Sequence, residues 1–198
     1  MRIMLMLAVA AMMLGGCQSQ GQTARENEMN AKSLEKAITI QQLSATLDKL
    51  PAPSMSREIM TKADGDIVTW IKQVDDWTHR ILSAPLTGEM DRYAAREMRQ
   101  RLMQVYSPEM ADKWIGYFYN HDPIADTYQA VSTDAMLTMR SDYRDYVLTK
   151  QQPSPGEYRL ELIGTTRQDP QQAETRMEHH SAYQAQGDRL LITDFRTR

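Results

Sequence analysis

The sequence predicts an α+β fold in which N-terminal helices pack on a C-terminal curved antiparallel sheet. Three observations lead to it. Through the middle of the chain, apolar residues recur at three- and four-residue steps, at Ile67, Trp70, Ile71, Val74, Trp77 and Ile81, as on the buried stripe of a helix. Towards the C-terminus they alternate instead, Tyr158, Leu160 and Leu162 with Arg159 and Glu161, as on a strand with one wet face. Turn formers such as Asp122-Pro123, Gln168-Asp169-Pro170 and Gly187-Asp188 separate these segments.

The first residues do not belong to that fold. Arg2 precedes an apolar run from Ile3 to Leu14, and Gly15-Gly16 follows, the charge, apolar stretch and small-residue exit of a secretory signal. A spanning helix needs about 20 apolar residues, more than this run holds. Residues 1–16 therefore read as a cleaved signal peptide. Residues 17–32 are mostly Gln, Ser, Asn, Glu and Gly and bury too little to offset the entropy of ordering, so they read as a flexible tether. Residues 33–53 read as a short helix and linker: Ser33 is the N-cap, Leu34, Ala37, Ile38, Gln41 and Leu47 supply the pattern, and Pro51-Ala52-Pro53 stops it. Residues 54–198 are the expected folded domain, at about 145 residues long enough for a single substantial core.

Within that domain a helix is expected between Asp66 and Ser83. After the break from Pro85 to Gly88, a second follows through Met90, Ala94, Met98, Leu102 and Val105. Ser107-Pro108-Glu109 starts a third, a hydroxyl cap with proline at the first helical position, and Asp122-Pro123 ends it. All three tryptophans fall in helices and are expected on one side of the core. In "DAMLTMRSDYRDYVLTK", residues 134–150, helix and strand patterns compete. "YRLELIGTTR", "ETRMEHHSAYQ" and "RLLITDFRT" read as three antiparallel strands.

Leu14-Gly15-Gly16-Cys17 resembles the lipobox of bacterial lipoproteins. The resemblance implies a diacylglycerol on the Cys17 sulfur, cleavage before Cys17 and acylation of the new amino group. Each buried methylene contributes about 0.8 kcal/mol, and two or three acyl chains hold a protein durably where one does not. In the enteric sorting rule that the resemblance brings with it, aspartate after the cysteine retains a lipoprotein in the inner membrane. Gln18 stands there instead, which favours the periplasmic face of the outer membrane. The membrane, reached through lipidated Cys17, is thus the first expected partner. Cys17 is also the only cysteine, so its acylation leaves no thiol for a disulfide, a metal site or a nucleophile. The chain has 23 basic and 26 acidic side chains, and removing residues 1–16 takes away Arg2, so nothing favours nucleic acid.

Candidates for chemistry are few. His179-His180 invites a metal reading, but neighbours on a strand point to opposite faces, so one buried and one solvated ring is expected and no metal site. Asp75 faces His79 at helical spacing, and Asp122 stands beside His121; a carboxylate orients an imidazole for proton transfer, though such pairs are more often surface contacts. Serine-nucleophile elbows and phosphate-binding glycine loops are absent from the sequence, and no catalytic residue or cofactor is expected. Arg92, Arg96, Arg99 and Arg101 read first as a solvated face paired with Asp91 and Glu97, and second as a site for an anionic ligand. The Met-rich helices read as adaptable core packing.

From about Asp66 onward, the order of three helices and then an antiparallel meander resembles the cone-shaped fold of nuclear-transport-factor-2-like proteins and of VirB8-type periplasmic domains. The helix with Trp70 and Trp77, the helix ending Tyr117-Phe118-Tyr119 and the last three strands carry that likeness. It departs from the VirB8 type at the anchor, where those proteins keep an uncleaved inner-membrane helix. The first function expected is a non-enzymatic assembly or structural component of an envelope complex, of a secretion, conjugation or pilus kind, with protein partners. The second is a binding module for an apolar ligand, with Trp70, Trp77, Trp114 and Phe118 lining the mouth of the cone. An enzyme of the same fold comes third.

Overall fold

The computed structural model describes residues 40–85, 89–131, 143–166 and 175–198, and the chain divides into two units, Met1–Gln41 and Gln42–Arg198. The expected signal peptide, tether and Ser33 cap lie outside the described residues. So does the turn at Gln168-Asp169-Pro170.

The second unit is α+β, and its helices start where local chemistry favours them. Helix α1, described over residues 40–47, ends four residues before Pro51, and its Leu43 and Leu47 are buried in the common core. Helix α2 (Asp64–Leu82) begins slightly earlier than the apolar stripe requires, because Asp64 and Asp66 favour the positive end of the helix dipole. Helix α3 (Arg92–Leu102) is capped by Asp91, whose Oδ1 accepts from the backbone N–H groups of Tyr93 (3.0 Å) and Ala94 (2.9 Å). Helix α4 (Pro108–Phe118) has the expected Ser107 cap, accepting from Met110 N at 3.2 Å, with Pro108 in the first turn.

Between α1 and a short 3-10 helix at Arg57–Thr61, residues 50–54 lie in no helix or sheet ladder, and α2 supplies partners for them. The indole N–H of Trp77 donates to the Leu50 carbonyl at 3.1 Å, and that of Trp70 donates to the Ser54 carbonyl at 2.7 Å. The two indoles stand two helical turns apart, about 10 Å at 1.5 Å per residue, a span that the 50–54 segment covers in extended form. Residues 42–53, which read as helix end and linker, therefore belong to the folded unit.

Strands β4 (Tyr143–Ser154), β5 (Glu157–Thr166), β6 (Thr175–Gln186) and β7 (Arg189–Thr197) form an antiparallel meander in sequential order. The last three are the strands read from the alternating pattern. The ambiguous 134–150 segment contributes a strand from Tyr143 onward; its earlier residues lie outside the described ones. Pro155-Gly156 turns β4 into β5, with Gly156 at φ +86°, a left-handed conformation that a side chain resists. Gly187, at φ +63°, does the same between β6 and β7.

A second small sheet was not apparent in the sequence. Strands β1 (Glu89–Asp91), β3 (Thr127–Ala130) and β2 (Tyr119–Asp122) pair antiparallel in that order. Helix α4 consequently ends at Phe118 and not at Asp122-Pro123: Tyr119 is extended, its hydroxyl donates to the Leu82 carbonyl, and Asn120–Asp122 pair with residues 127–129. Met90, expected at the head of a helix, is a buried strand residue for the same reason.

The core lies between the helices and the inner face of the four-stranded sheet, where Leu160, Leu162, Tyr183, Leu190, Ile192 and Phe195 meet Ile67, Ile71, Val74, Met98 and Leu102. Segments from the helical half also cover the β7 edge: Leu190 N donates to Met55 O (2.7 Å), Ile192 N to Val105 O (3.0 Å) and Ser107 N to Ile192 O (2.9 Å). Replacing Trp70 or Trp77 by Phe keeps the ring and removes the donor. Each change is expected to cost about 1 kcal/mol of unfolding free energy in urea titrations; unchanged midpoints in both variants would show that the 50–54 segment is held by something other than the indoles.

Candidate functional site

Cys17 lies outside the described residues. The other expected site residues are all buried, and the structure divides them between two places. Trp70 and Trp77 stand on α2, with Trp70 tilted against Tyr183 at a centroid distance of 5.5 Å. Trp114 and Phe118 stand one turn apart on α4, 6.4 Å between rings. Trp114 also meets Tyr106 at 5.9 Å and Phe195 at 6.3 Å, and Phe118 meets His79 edge-on at 5.7 Å. Each of the four is 5 % exposed, so they act as core packing against the sheet.

The acid–base candidates fare differently. Asp75 and His79 do face each other, His79 Nε2 lying 3.8 Å from Asp75 Oδ1, and both are buried. Beside them the Thr78 hydroxyl meets the Tyr106 hydroxyl at 2.7 Å while also bonding to the Val74 carbonyl. Burial pushes the Tyr106 phenol far up, so it stays protonated. His121 pairs not with adjacent Asp122 but with Asp126 (3.3 Å), across the β2–β3 turn, and stacks on Tyr128 at 4.5 Å. Asp122 is occupied in building that turn. Its Oδ1 accepts from Ile124 N and Ala125 N, and those two bonds hold its carboxyl below the usual range.

His179 and His180 point to opposite faces, as strand geometry requires. His179 is fully buried; its Nδ1 lies 3.1 Å from Thr197 Oγ1, and its ring stands edge-on to Phe195 at 4.5 Å. His180 lies on the solvent side, 3.8 Å from Glu161 and from Glu178. Three arginines of α3 are held by acids, Glu97 on the same helix and Asp48, Asp112 and Asp126 from elsewhere in the fold. Arg99 grips Asp112 at 2.6 and 3.0 Å, Arg101 reaches Asp48 (2.5 Å) and Glu97 (3.1 Å), and Arg92 reaches Asp126 (3.4 Å). Asp91, expected as one of their partners, is committed to the cap of α3. Among the described residues, no three His, Cys, Asp or Glu side chains gather closely enough to hold a metal ion.

What the geometry does present is the solvent face of the four-stranded sheet. Arg159, Ala182 and Asp194 lie directly across from one another on β5, β6 and β7, and Glu161, His180 and Arg196 make the next row. A shallow cavity of about 390 Å³ opens over these rows. Its charged residues were legible only as the polar half of an alternation; the available signal was opposite signs two residues apart, Arg159 and Glu161 on one strand, Asp194 and Arg196 on another.

Compared with family models, with curated proteins and with solved structures, the chain matches none of them. No helix among the described residues is long and apolar enough to cross a membrane.

The buried imidazole gives a pH prediction. Burial lowers the His179 pKa from 6.5 to about 3, so the folded chain excludes a proton that the unfolded chain accepts. Stability from this source is complete above about pH 6.5 and is lost as pH falls towards 3. Between pH 7 and pH 5 the loss is about 2 kcal/mol. Urea midpoints across that range are expected to show it, and His179→Leu is expected to flatten the slope; an equal slope in that variant would assign it to other groups.

Proposed function

We propose that this chain is a lipoprotein anchored through Cys17 on the periplasmic face of the outer membrane, where its α+β domain serves as a non-enzymatic assembly or structural component of an envelope complex. The anchor reading rests on Leu14-Gly15-Gly16-Cys17 followed by Gln18. The assembly reading is carried by one observation about the domain: the side chains that would line a ligand pocket are 5 % exposed and taken up in the core, whereas a charged sheet face is left open to solvent. Helices followed by a four-stranded antiparallel meander also agree with a fold of the NTF2-like or VirB8-type kind. No functional residue is transferred from that likeness.

A second reading, an interior ligand, is favoured by two buried nitrogens. Among the described residues, Trp114 Nε1 and His179 Nε2 have no hydrogen-bond partner, and both rings pack on Phe195. Trp114 lies close to the Tyr106 hydroxyl without closing a bond to it. Buried polar atoms without partners are uncommon and mark places where a water or ligand atom fits.

Acyl labelling of the chain in cells is expected to disappear in Cys17→Ser, and label retained in that variant refutes the anchor. In intact cells, short-range crosslinking is expected to capture the domain in higher-mass adducts; capture of the single chain alone under all conditions removes the assembly reading. Native mass spectrometry decides the second reading, since a bound small molecule lost on Trp114→Phe would favour it over the first.

A further inference from the structure

The open face of the four-stranded sheet carries charge in a pattern that complements itself. Antiparallel register fixes the pattern. Along β5 the outward charges run basic then acidic, Arg159 and Glu161; in the facing rows of β7 they run acidic then basic, Asp194 and Arg196. Between them on β6 stand Ala182 and His180. Consider a second copy laid face to face on the first and related by a two-fold axis parallel to β6. That operation keeps each row level and exchanges β5 with β7. Arg159 then faces Asp194 of the second copy and Glu161 faces Arg196 of the second copy, and symmetry makes each contact twice.

We propose that this face is the interface of a homodimer, two copies of the chain stacked sheet on sheet through the β5–β7 rows. The inference goes beyond the assembly reading and needs neither the anchor nor an envelope complex.

Three further observations support it. Arg159 is exposed and, among the described residues, has no acidic partner within its own chain, although Glu161 is on the same face two residues away. Among the described residues, Glu161 meets only His180, at 3.8 Å, and Arg196 bonds only to Asp194 on its own strand, at 2.8 Å; these partly exposed contacts are weak and free to be exchanged. Ala182 between Arg159 and Asp194 is short. The cavity over it gives the longer side chains of a second copy room to enter, as interdigitating side chains do where sheets pack about 10 Å apart.

The test is a charge exchange on the purified full chain in a non-ionic detergent, read by sedimentation and by crosslinking stoichiometry. The unaltered chain is expected to form dimers that weaken with salt. R159E alone and D194R alone each place like charges opposite one another twice, and each is expected to weaken self-association by about tenfold or more. Mixing the two variants is expected to restore dimers, because both contacts then join opposite charges. A two-fold perpendicular to the strands would instead set Arg159 against Glu161, and mixing would restore nothing. Circular dichroism on each variant separates a lost contact from a lost fold, and recovery on mixing requires both to be folded. A chain that stays monomeric at all concentrations, dimers indifferent to both substitutions, a mixture that does not recover, or a crosslink from this face only to a different protein would each overturn the proposal.

Discussion

A four-stranded sheet with one face in water needs its other face covered, and in this domain that cover is aromatic. Trp70 of α2 lies on Tyr183, while Trp114 of α4 and Tyr106 close on Phe195 from two sides. No disulfide assists, because Cys17 is the only cysteine. The domain therefore depends on the fit between α2, α4 and the sheet's inner rows, and other features follow from it. Trp70 and Trp77 can bind the 50–54 segment only because the packing of α2 aims their N–H groups at it. The β7 edge is covered because residues 55 and 105–107 are carried to it by the same helices.

The parts of this fold that the sequence displayed are those in which a local rule and the tertiary environment agree. The stripe of α2, the Ser107-Pro108 start of α4 and the alternation of β5 and β7 all fall in that class. The small β1–β3–β2 sheet does not. Its strands are three or four residues long, too short for a period to appear, and Tyr119 leaves the helical pattern where it pairs with Ala130 and its hydroxyl meets the Leu82 carbonyl, 37 positions away in sequence. Asp91 illustrates the same limit from the side of chemistry. Next to an arginine it reads as an ion-pair partner, and only the direction of the chain through β1 makes it a cap. Likewise Asp126, not the adjacent Asp122, reaches His121, since a four-residue turn brings 126 back beside 121.

The interior titratable groups are held in their neutral forms by the packing around them. Burial raises Tyr106 and Tyr183 and lowers His179; in each case the neutral form is favoured and the cause is desolvation. These three are buried with one hydroxyl beside each, Thr78 for Tyr106, Ser181 for Tyr183 and Thr197 for His179, and a group held neutral in that way stabilises the fold only while it remains neutral. The pair formed by Asp75 and His79 differs, since both members lie on one helix and meet by helical spacing alone. It is the one place in the described core where an acid and an imidazole are brought together.

If the inner face of the sheet is used up by packing, specificity must be written on the outer face, and strand geometry limits how that is done. Side chains two apart share a face, and antiparallel neighbours stand directly opposite, so a few residues on three strands define a small two-dimensional lattice of charge. An arbitrary lattice repels its own image as often as it attracts it. The one on β5 and β7 changes sign across each row, and that opposition is the condition for a face to attract a copy of itself turned about an axis along the strands. A solvated face has no need to satisfy it. Ala182 at the centre of the pattern, where a longer side chain would fill the depression and hold two sheets apart, meets the same condition in shape.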